Sequence, residues 1–209
     1  MAYTNADDTI SLSSLVGPMM LDIPYPIAQQ GILWSAIEFC DRTKFYSNIQ
    51  TLKLTNGIQN VILSPNDDAL IADIIEVEWN GQKVDPISRA DADALTLITT
   101  SGPPQGYYRP NPEALTLVPA TDVSGTLKVV MSLTPTRTAT SIPKFLYDYH
   151  WDAIEHGAHY QLMKMSNRPW ADPAMASYHR QQFECLIGTY SMQADKDGTR
   201  LPLRVKTNF

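Results

Sequence analysis

Apolar residues recur with a helical period near both ends of the chain and with a strand period in its middle. A first helix is predicted from Ile27 to about Phe45, and its apolar face consists of Leu33, Ala36, Ile37 and Cys40. A second helix begins near Pro143, because proline is tolerated in a first helical turn. Its apolar stripe consists of Trp151, Ile154, Ala158, Leu162 and Met165. A third helix is predicted from about Pro173 to Gln193, with core candidates Tyr178, Phe183 and Leu186.

Between these helices the chain has the alternation and the turn residues of short strands. Two Asn-Gly pairs each separate two apolar runs, which is the strongest short-range signal of a β-hairpin. They are Asn56-Gly57, between 50–55 and 58–63, and Asn80-Gly81, between 74–79 and 82–84. Further strands are predicted at 107–108, 114–118 and 127–133, with a short helix at 91–97. Several short antiparallel strands favour a small sandwich or barrel.

The order of these patterns predicts an α+β fold. We expect a helical bundle of about three helices, with an inserted small antiparallel β-domain and extended N- and C-terminal arms. The predicted divisions are an irregular N-terminal arm (1–21), the helical bundle (22–46 and 141–196), the inserted β-domain (47–140) and a C-terminal docking arm (197–209). The residues expected to pack the bundle are Ile37, Cys40, Trp151, Ile154, Ala158, Leu162, Trp170 and Phe183.

The C-terminal arm alternates with a period of two, so an extended segment here has one apolar and one polar face. Two interpretations remain open. The arm either lies back on its own chain or docks on an edge strand or groove of a partner or a neighbouring copy. The candidate docking residues are Leu201, Leu203, Arg204, Val205, Lys206 and Phe209. Phe209 is the largest anchor, and the two cations suit an acidic partner face.

Composition narrows the classes of function. The chain has 16 Lys and Arg against 22 Asp and Glu, and this net charge of −6 argues against a groove that grips nucleic acid. Only 18% of residues are charged, so we expect part of the surface to be covered by other chains. Two cysteines, Cys40 and Cys185, are too few for a disulfide scaffold and are expected to be buried thiols. We expect a soluble protein that is made in the cytosol and does not enter a membrane.

Histidines supply the best candidate for chemistry. His150, Glu155, His156 and His159 fall on the second helix, and His156 and His159 share a face. A third metal ligand is not evident, and Gly157 stands where the helical zinc signature has Glu. We therefore interpret these as solvated or interface histidines, and His179 as isolated. No catalytic constellation is found, so we expect no enzyme, no metal and no cofactor.

Four segments together resemble the head-to-tail adaptor (neck) proteins of short-tailed bacteriophages, over roughly residues 22–209. The segments are 36–43, 77–86, 142–158 with its proline start and Gly157-Ala158 pair, and 168–173 followed by Tyr178 and Phe183. Each is weak alone, and their order and spacing make the resemblance specific.

The resemblance implies a structural virion protein. Such adaptors form a homo-oligomeric ring of about twelve copies below the portal, through contacts that close on themselves. The implied partners are the portal protein and tail nozzle or tail-fibre proteins, and genomic DNA passes without specific binding. The protein would be located in the neck of the virion, after synthesis in the host cytoplasm. Two other functions are weighed: a tail-associated carbohydrate-binding module or hydrolase, and a packaging factor with transient DNA contact.

Overall fold

The computed structural model describes residues 8–19, 23–55, 57, 59–65, 68–98 and 102–194, and it divides into two compact units. The helical unit comprises the described residues of Met1–Tyr46 and Thr134–Phe209, and the β unit is Ser47–Leu133. The predicted docking arm, 197–209, lies outside the described residues.

The chain contains the following elements in order. They are β1 (Thr9–Ser11), α1 (Leu12–Met19), α2 (Tyr25–Thr43), β2 (Ser47–Leu54), β3 (Asn60–Ile62), β4 (Ala69–Trp79), β5 (Gln82–Lys83), β6 (Asp85–Pro86), α3 (Arg89–Ile98), β7 (Gly106–Asn111), β8 (Ala114–Val118), β9 (Gly125–Pro135), β10 (Ser141–Pro143), α4 (Lys144–Met163) and α5 (Pro173–Ala194). The fold is therefore α+β, as predicted, with the three long predicted helices present as α2, α4 and α5.

Part of the predicted N-terminal arm is ordered, which corrects the sequence-based expectation of an irregular segment. β1 pairs antiparallel with β10, with Ile10 opposite Ile142. α1 then buries Leu12, Leu15 and Val16. Those three residues are spaced i, i+3, i+4, so they form one apolar helical face. Burying this face, together with the ladder hydrogen bonds of β1, offsets the loss of chain entropy on ordering the segment.

Glycines allow the long helices to approach each other closely. A side chain on Gly31 of α2 would meet Leu162 of α4, with the Cβ 2.9 Å from its Cγ. A side chain on Gly157 of α4 would clash with the Ser35 hydroxyl and with the Phe183 ring. That hydroxyl donates a hydrogen bond of 2.8 Å to the carbonyl of Ile154. The contact of α4 with α2 and α5 therefore combines apolar packing with a satisfied buried hydroxyl.

The β unit consists of two four-stranded sheets, with the orders β2-β9-β4-β5 and β3-β8-β7-β6. The recorded ladders are antiparallel except that β6 runs parallel to β7. β9 buries alternate residues from Leu127 to Met131, so one face of that stretch belongs to the core, and it buries every residue from Met131 to Pro135.

One of the two predicted hairpins is confirmed and the other is wrong. β4 and β5 pair through Trp79 and Gln82, and both turn residues between them have positive φ, Asn80 at 48° and Gly81 at 80°. β2 does not pair with β3 across Gly57, because β2 pairs with β9 over its whole length and β3 pairs with β8. The pairing of β2 with β9, which is distant in sequence, therefore overrides the local turn signal.

Two α5 residues that the sequence predicts to be buried, Tyr178 and Cys185, are exposed. Phe183 and Ile187 are buried and lie one turn apart. Cys185 is exposed, because it lies on the opposite side of the helix from that pair. Tyr178 is 48% exposed. The expectation that both cysteines are buried holds for Cys40 and is wrong for Cys185.

Candidate functional site

The predicted packing residues divide into a buried and a half-buried group. The buried ones are Cys40, Ile154, Ala158, Leu162 and Phe183. The half-buried ones are Ile37, Trp151 and Trp170. Trp151 lies beside Tyr147, with 5.3 Å between the ring centroids. Arg168 lies over the ring of Trp170, with its guanidinium carbon 5.9 Å from the centroid.

Three histidines form a cluster where α4 contacts α5. We call His156, His159 and His179 the histidine cluster. The Nδ1 atoms of His156 and His179 lie 2.8 Å apart, and the rings of His159 and His179 are 4.6 Å apart between centroids. Burial, together with the smaller effects of the neighbouring His159 and His156, lowers the pKa of His179 to about 4. His179 is therefore not isolated, which corrects the sequence-based interpretation, and it is neutral at neutral pH.

His150 is enclosed by aromatic rings at a kink in α4. Its backbone is non-helical, at φ −134° and ψ 16°, and its side chain is buried. The rings of Phe45 and Tyr190 lie 4.4 and 4.5 Å from it between centroids. Neither ring nitrogen has a hydrogen-bond partner among the described residues. Burial lowers the pKa of His150 to about 4, against an opposing effect of Asp152.

The described residues contain neither a group of side chains for metal binding nor an ionised Cys40 thiol. Within the described ranges, no three His, Cys, Asp or Glu side chains are grouped so as to hold a metal ion. Burial raises the pKa of the Cys40 thiol, and the nearby Asp41 raises it further, so this thiol does not ionise at neutral pH.

Four charged side chains connect α2 to α5. We call Glu38, Arg42, Arg180 and Glu184 the charge network. Arg42 donates to both oxygens of Glu184, with Nη1 2.9 Å from Oε1. Arg180 donates to Glu38 at 2.7 Å and also pairs with Glu184. The hydrogen bond with Arg42 lowers the pKa of Glu184, and the charges of Arg180 and Arg42 lower it further.

Large apolar side chains are exposed on both units. On the described part of the helical unit they are Tyr25, Trp34, Tyr147, Tyr149, Met175, Tyr178 and Met192. On that of the β unit they are Ile49, Ile62, Leu70, Ile75 and Val123. Ile62 is 75% exposed and lies on β3, an edge strand. Exposed apolar residues beside an edge strand are typical of surfaces that contact other chains.

Two open cavities lie among the described residues, one within each unit. The cavity of the β unit, about 390 Å³, is lined by Gln59, Ala92, Asp93, Thr96, Tyr108 and Val118. That of the helical unit, about 410 Å³, lies among the start of α1, the first half of α2 and residues 137–140. Within the part of the chain that the structure describes, no helix is both long and apolar enough to cross a membrane.

Sequence reasoning missed the residues that act across elements. The pairing of His156 with His179 joins two helices, and so does the pairing of Arg42 with Glu184. For the pairing of His156 with His179, the only signal in the sequence is that the facing helix also contains a histidine. The signal for the second was the repeat of opposite charges four residues apart, Glu38 with Arg42 and Arg180 with Glu184.

A model of a known protein family matches most of this chain. The family model described as SU10 adaptor protein matches residues 17–206, which is most of the chain. It represents phage head-to-tail adaptors, so the resemblance predicted from the four segments is confirmed. No curated protein matches the chain. The match supports the role of a structural adaptor in a phage virion and favours a function other than catalysis.

Proposed function

We propose that this chain, which belongs to the SU10 adaptor protein family, forms a homo-oligomeric ring under the portal of a tailed phage. The ring extends the DNA channel and provides the surface to which tail nozzle or tail-fibre proteins attach. The observation that carries the proposal is the family match over residues 17–206, since it includes both units. A ring of about twelve copies requires head-to-tail contacts that close on themselves.

The charge balance supports passage of DNA without specific binding. The net charge of −6 provides no excess of cations that would hold each passing phosphate. Adaptors of this kind need to guide DNA and to release it. We therefore expect weak DNA binding even at low salt, where electrostatic binding is strongest.

The exposed apolar residues support contacts with other chains. Both units carry them, and the edge strand β3 adds unpaired backbone groups beside Ile62. In this proposal α2, α4 and α5 act as a three-helix bundle into which the β-domain is inserted. The free chain is monomeric or weakly associated, because ordering of the arms opposes association. Light scattering at micromolar concentration tests this, and a stable ring in free solution would contradict it.

The C-terminal arm provides the docking element in this proposal. Leu201, Leu203, Val205 and Phe209 form its apolar row, while Arg204 and Lys206 meet an acidic face of the portal or of a neighbouring copy. The arm follows α5, which ends at Ala194. Main-chain hydrogen bonds to an edge strand would provide affinity, and side-chain pockets would provide specificity.

Truncation tests the docking element directly. A chain that ends at Gly198 is expected to keep its melting temperature and to lose co-sedimentation with purified portal rings. The matched control is the full chain with Arg204→Gln and Lys206→Gln, which keeps the apolar row and should bind more weakly and with less dependence on salt. A truncated chain that melted far lower, or that still bound the portal, would make the arm an internal strap.

A second candidate function is carbohydrate binding, which the cavity of the β unit favours. Gln59, Asp93 and Thr96 supply polar groups there, and Tyr108 supplies a ring on which a sugar could stack. Of the lining residues only Asp93 is a carboxylate, so the pair needed for glycoside hydrolysis is not present in the lining. A glycan-dependent thermal shift that Tyr108→Ala abolishes would support binding, and we expect none from an adaptor.

A further inference from the structure

The contact of α4 with α5 holds three of the four histidines of the chain. His156 and His179 share a hydrogen bond of 2.8 Å between their Nδ1 atoms. Such a bond needs one protonated and one unprotonated Nδ1, because a neutral imidazole has one donor and one acceptor. When both rings carry a proton on each nitrogen, the bond is lost and two positive charges face each other at this distance.

We propose that the histidine cluster is an acid-sensitive latch between α4 and α5. While at least one of His156 and His179 is neutral, the imidazole pair holds the two helices together. Protonation of both rings, with His159 beside them, separates the helices. The inference is independent of the proposed ring, because it concerns the interior of the helical unit alone.

Several charged and titratable groups lie on the helices around the pair of His156 and His179. The charged and titratable groups of this part of the three helices include Glu38, Asp41 and Arg42 on α2, Asp152, Glu155 and Tyr160 on α4, and Tyr178, Arg180, Glu184 and Tyr190 on α5, with Asp172 just before α5. Most of these carboxylates bond other groups. Asp152 accepts from the Tyr190 hydroxyl, Asp172 accepts from backbone amides of α5, and Glu38 and Glu184 bind arginines. Glu155 lies roughly 100° from His156 around the helix axis and one turn before His159, so it shares a face of α4 with His159 and can offset part of the charge on that ring.

The direction of the pKa shift agrees with the latch. The pKa of His179 is lowered to about 4, whereas a histidine in an unfolded chain has a value of about 6.5. A lowered pKa contributes stability that is complete above the unfolded value and is lost as the pH falls towards the folded value. The acid-sensitive range is therefore from about pH 6.5 to about pH 4. α5 leads into the C-terminal arm, so the latch acts on the helix that precedes this arm.

Amide hydrogen exchange, corrected for the intrinsic effect of pH on the exchange rate, tests the latch. Between pH 7.5 and pH 5, protection of α5 amides is expected to fall roughly 30-fold, from the two pKa values given for His179. Protection of β9 amides should change by less than about twofold. In His179→Gln this roughly 30-fold component of the fall at α5 should be lost, because Gln keeps a hydrogen-bonding group and does not titrate.

Two further measurements keep the proposal testable if His179→Gln does not fold. NMR titration of the wild-type histidines should give His179 an apparent pKa near 4, and an apparent pKa near 6.5 with unchanged protection would overturn the latch. The matched control His150→Phe removes the other buried histidine and should keep the part of the α5 response that His179→Gln removes. Zinc chloride added at pH 7.5 should leave the melting temperature unchanged. A rise accompanied by zinc-dependent shifts of the wild-type His179 resonances would make the cluster a metal site and overturn the proposal.

Discussion

The helical unit and the β unit differ in the polar groups that they bury. Among the described residues, the buried imidazoles belong to the helical unit, namely His150 and His179. The buried polar side chains of the β unit are hydroxyls, as at Thr116 and Ser132. Hydroxyls do not titrate in the acid range, whereas a buried imidazole must take up a proton there. Acid should therefore destabilise the helical unit more than the β unit.

Two glycines, one in each unit, have different roles. Gly157 lies where α4 contacts Ser35 and Phe183, so its missing side chain sets the spacing of the helices. Gly81 has open space around it and is needed for its φ of 80° in the β4–β5 turn. A substitution at the first disturbs packing, and one at the second disturbs only the local backbone.

The largest effect is expected at the contact of the helices. Gly157→Ala should lower the free energy of unfolding of the helical unit by about 3 kcal/mol, because the added Cβ overlaps the Ser35 hydroxyl and the Phe183 ring. The matched control is Gly188→Ala in α5, where nothing lies within 4 Å, and it should stabilise by about 0.5 kcal/mol. Equal effects of both substitutions in urea unfolding would contradict the close approach.

The second largest effect tests the difference in acid response between the two units. Between pH 7.5 and pH 4.5, a histidine with a pKa of about 4 when folded loses roughly 2 kcal/mol of stability. His150→Phe removes that titration and suits the surrounding aromatic rings, so the acid loss should shrink by this amount. Urea unfolding at both pH values measures it. An unchanged acid loss would mean that His150 is not buried in its neutral form.

A smaller effect is expected in the β unit. Gly81→Ala should cost about 1 kcal/mol, since a residue with a side chain rarely adopts the left-handed backbone of this turn. The exposed neighbour Gln82→Ala serves as the control and should change stability by less than about 0.5 kcal/mol. Thermal unfolding at neutral pH distinguishes them, and a neutral Gly81→Ala would show that the turn does not determine the register of β4 and β5.

The smallest effect concerns the surface of the helical unit. Glu184→Gln breaks the charged contacts with Arg42 and Arg180, and its cost should be below about 1 kcal/mol because these side chains are partly exposed. The contribution is present above the unfolded pKa of Glu184 and is lost as the pH falls through its lowered folded pKa. High salt should reduce the difference between the variant and the wild type. At about 1 M salt, surface charges are strongly screened. If the difference in stability between Glu184→Gln and the wild type persisted there, the charge network would not be a screened surface network.

The same comparison explains what the sequence could predict. Helical stripes are local, so the spacing of Trp151, Ile154, Ala158 and Leu162 predicted α4 without knowledge of its partners. The Asn80-Gly81 turn is also local, and its hairpin was predicted. The partner of β2 is β9, which is far away in sequence, and no local signal at Asn56-Gly57 could indicate it.

Helix α1 could have been predicted if the spacing of its apolar residues had counted for more than the polar residues around them. The spacing of Leu12, Leu15 and Val16 is helical, and Ser11 before it is a typical cap residue, yet the polar residues around them favoured an arm. The contact of His156 with His179 depends on how α5 packs on α4, and sequence spacing within one helix cannot show it. Assignment to the adaptor family needed four weak segments in the right order.

Electron cryomicroscopy of the neck of the intact virion tests the proposed adaptor function most directly. The account predicts a closed ring of about twelve copies of this chain between the portal and the tail, with a channel along its axis. Its C-terminal arm should contact the portal or a neighbouring copy. Density for this chain at the tail tip, or a neck ring built only from other proteins, would contradict it.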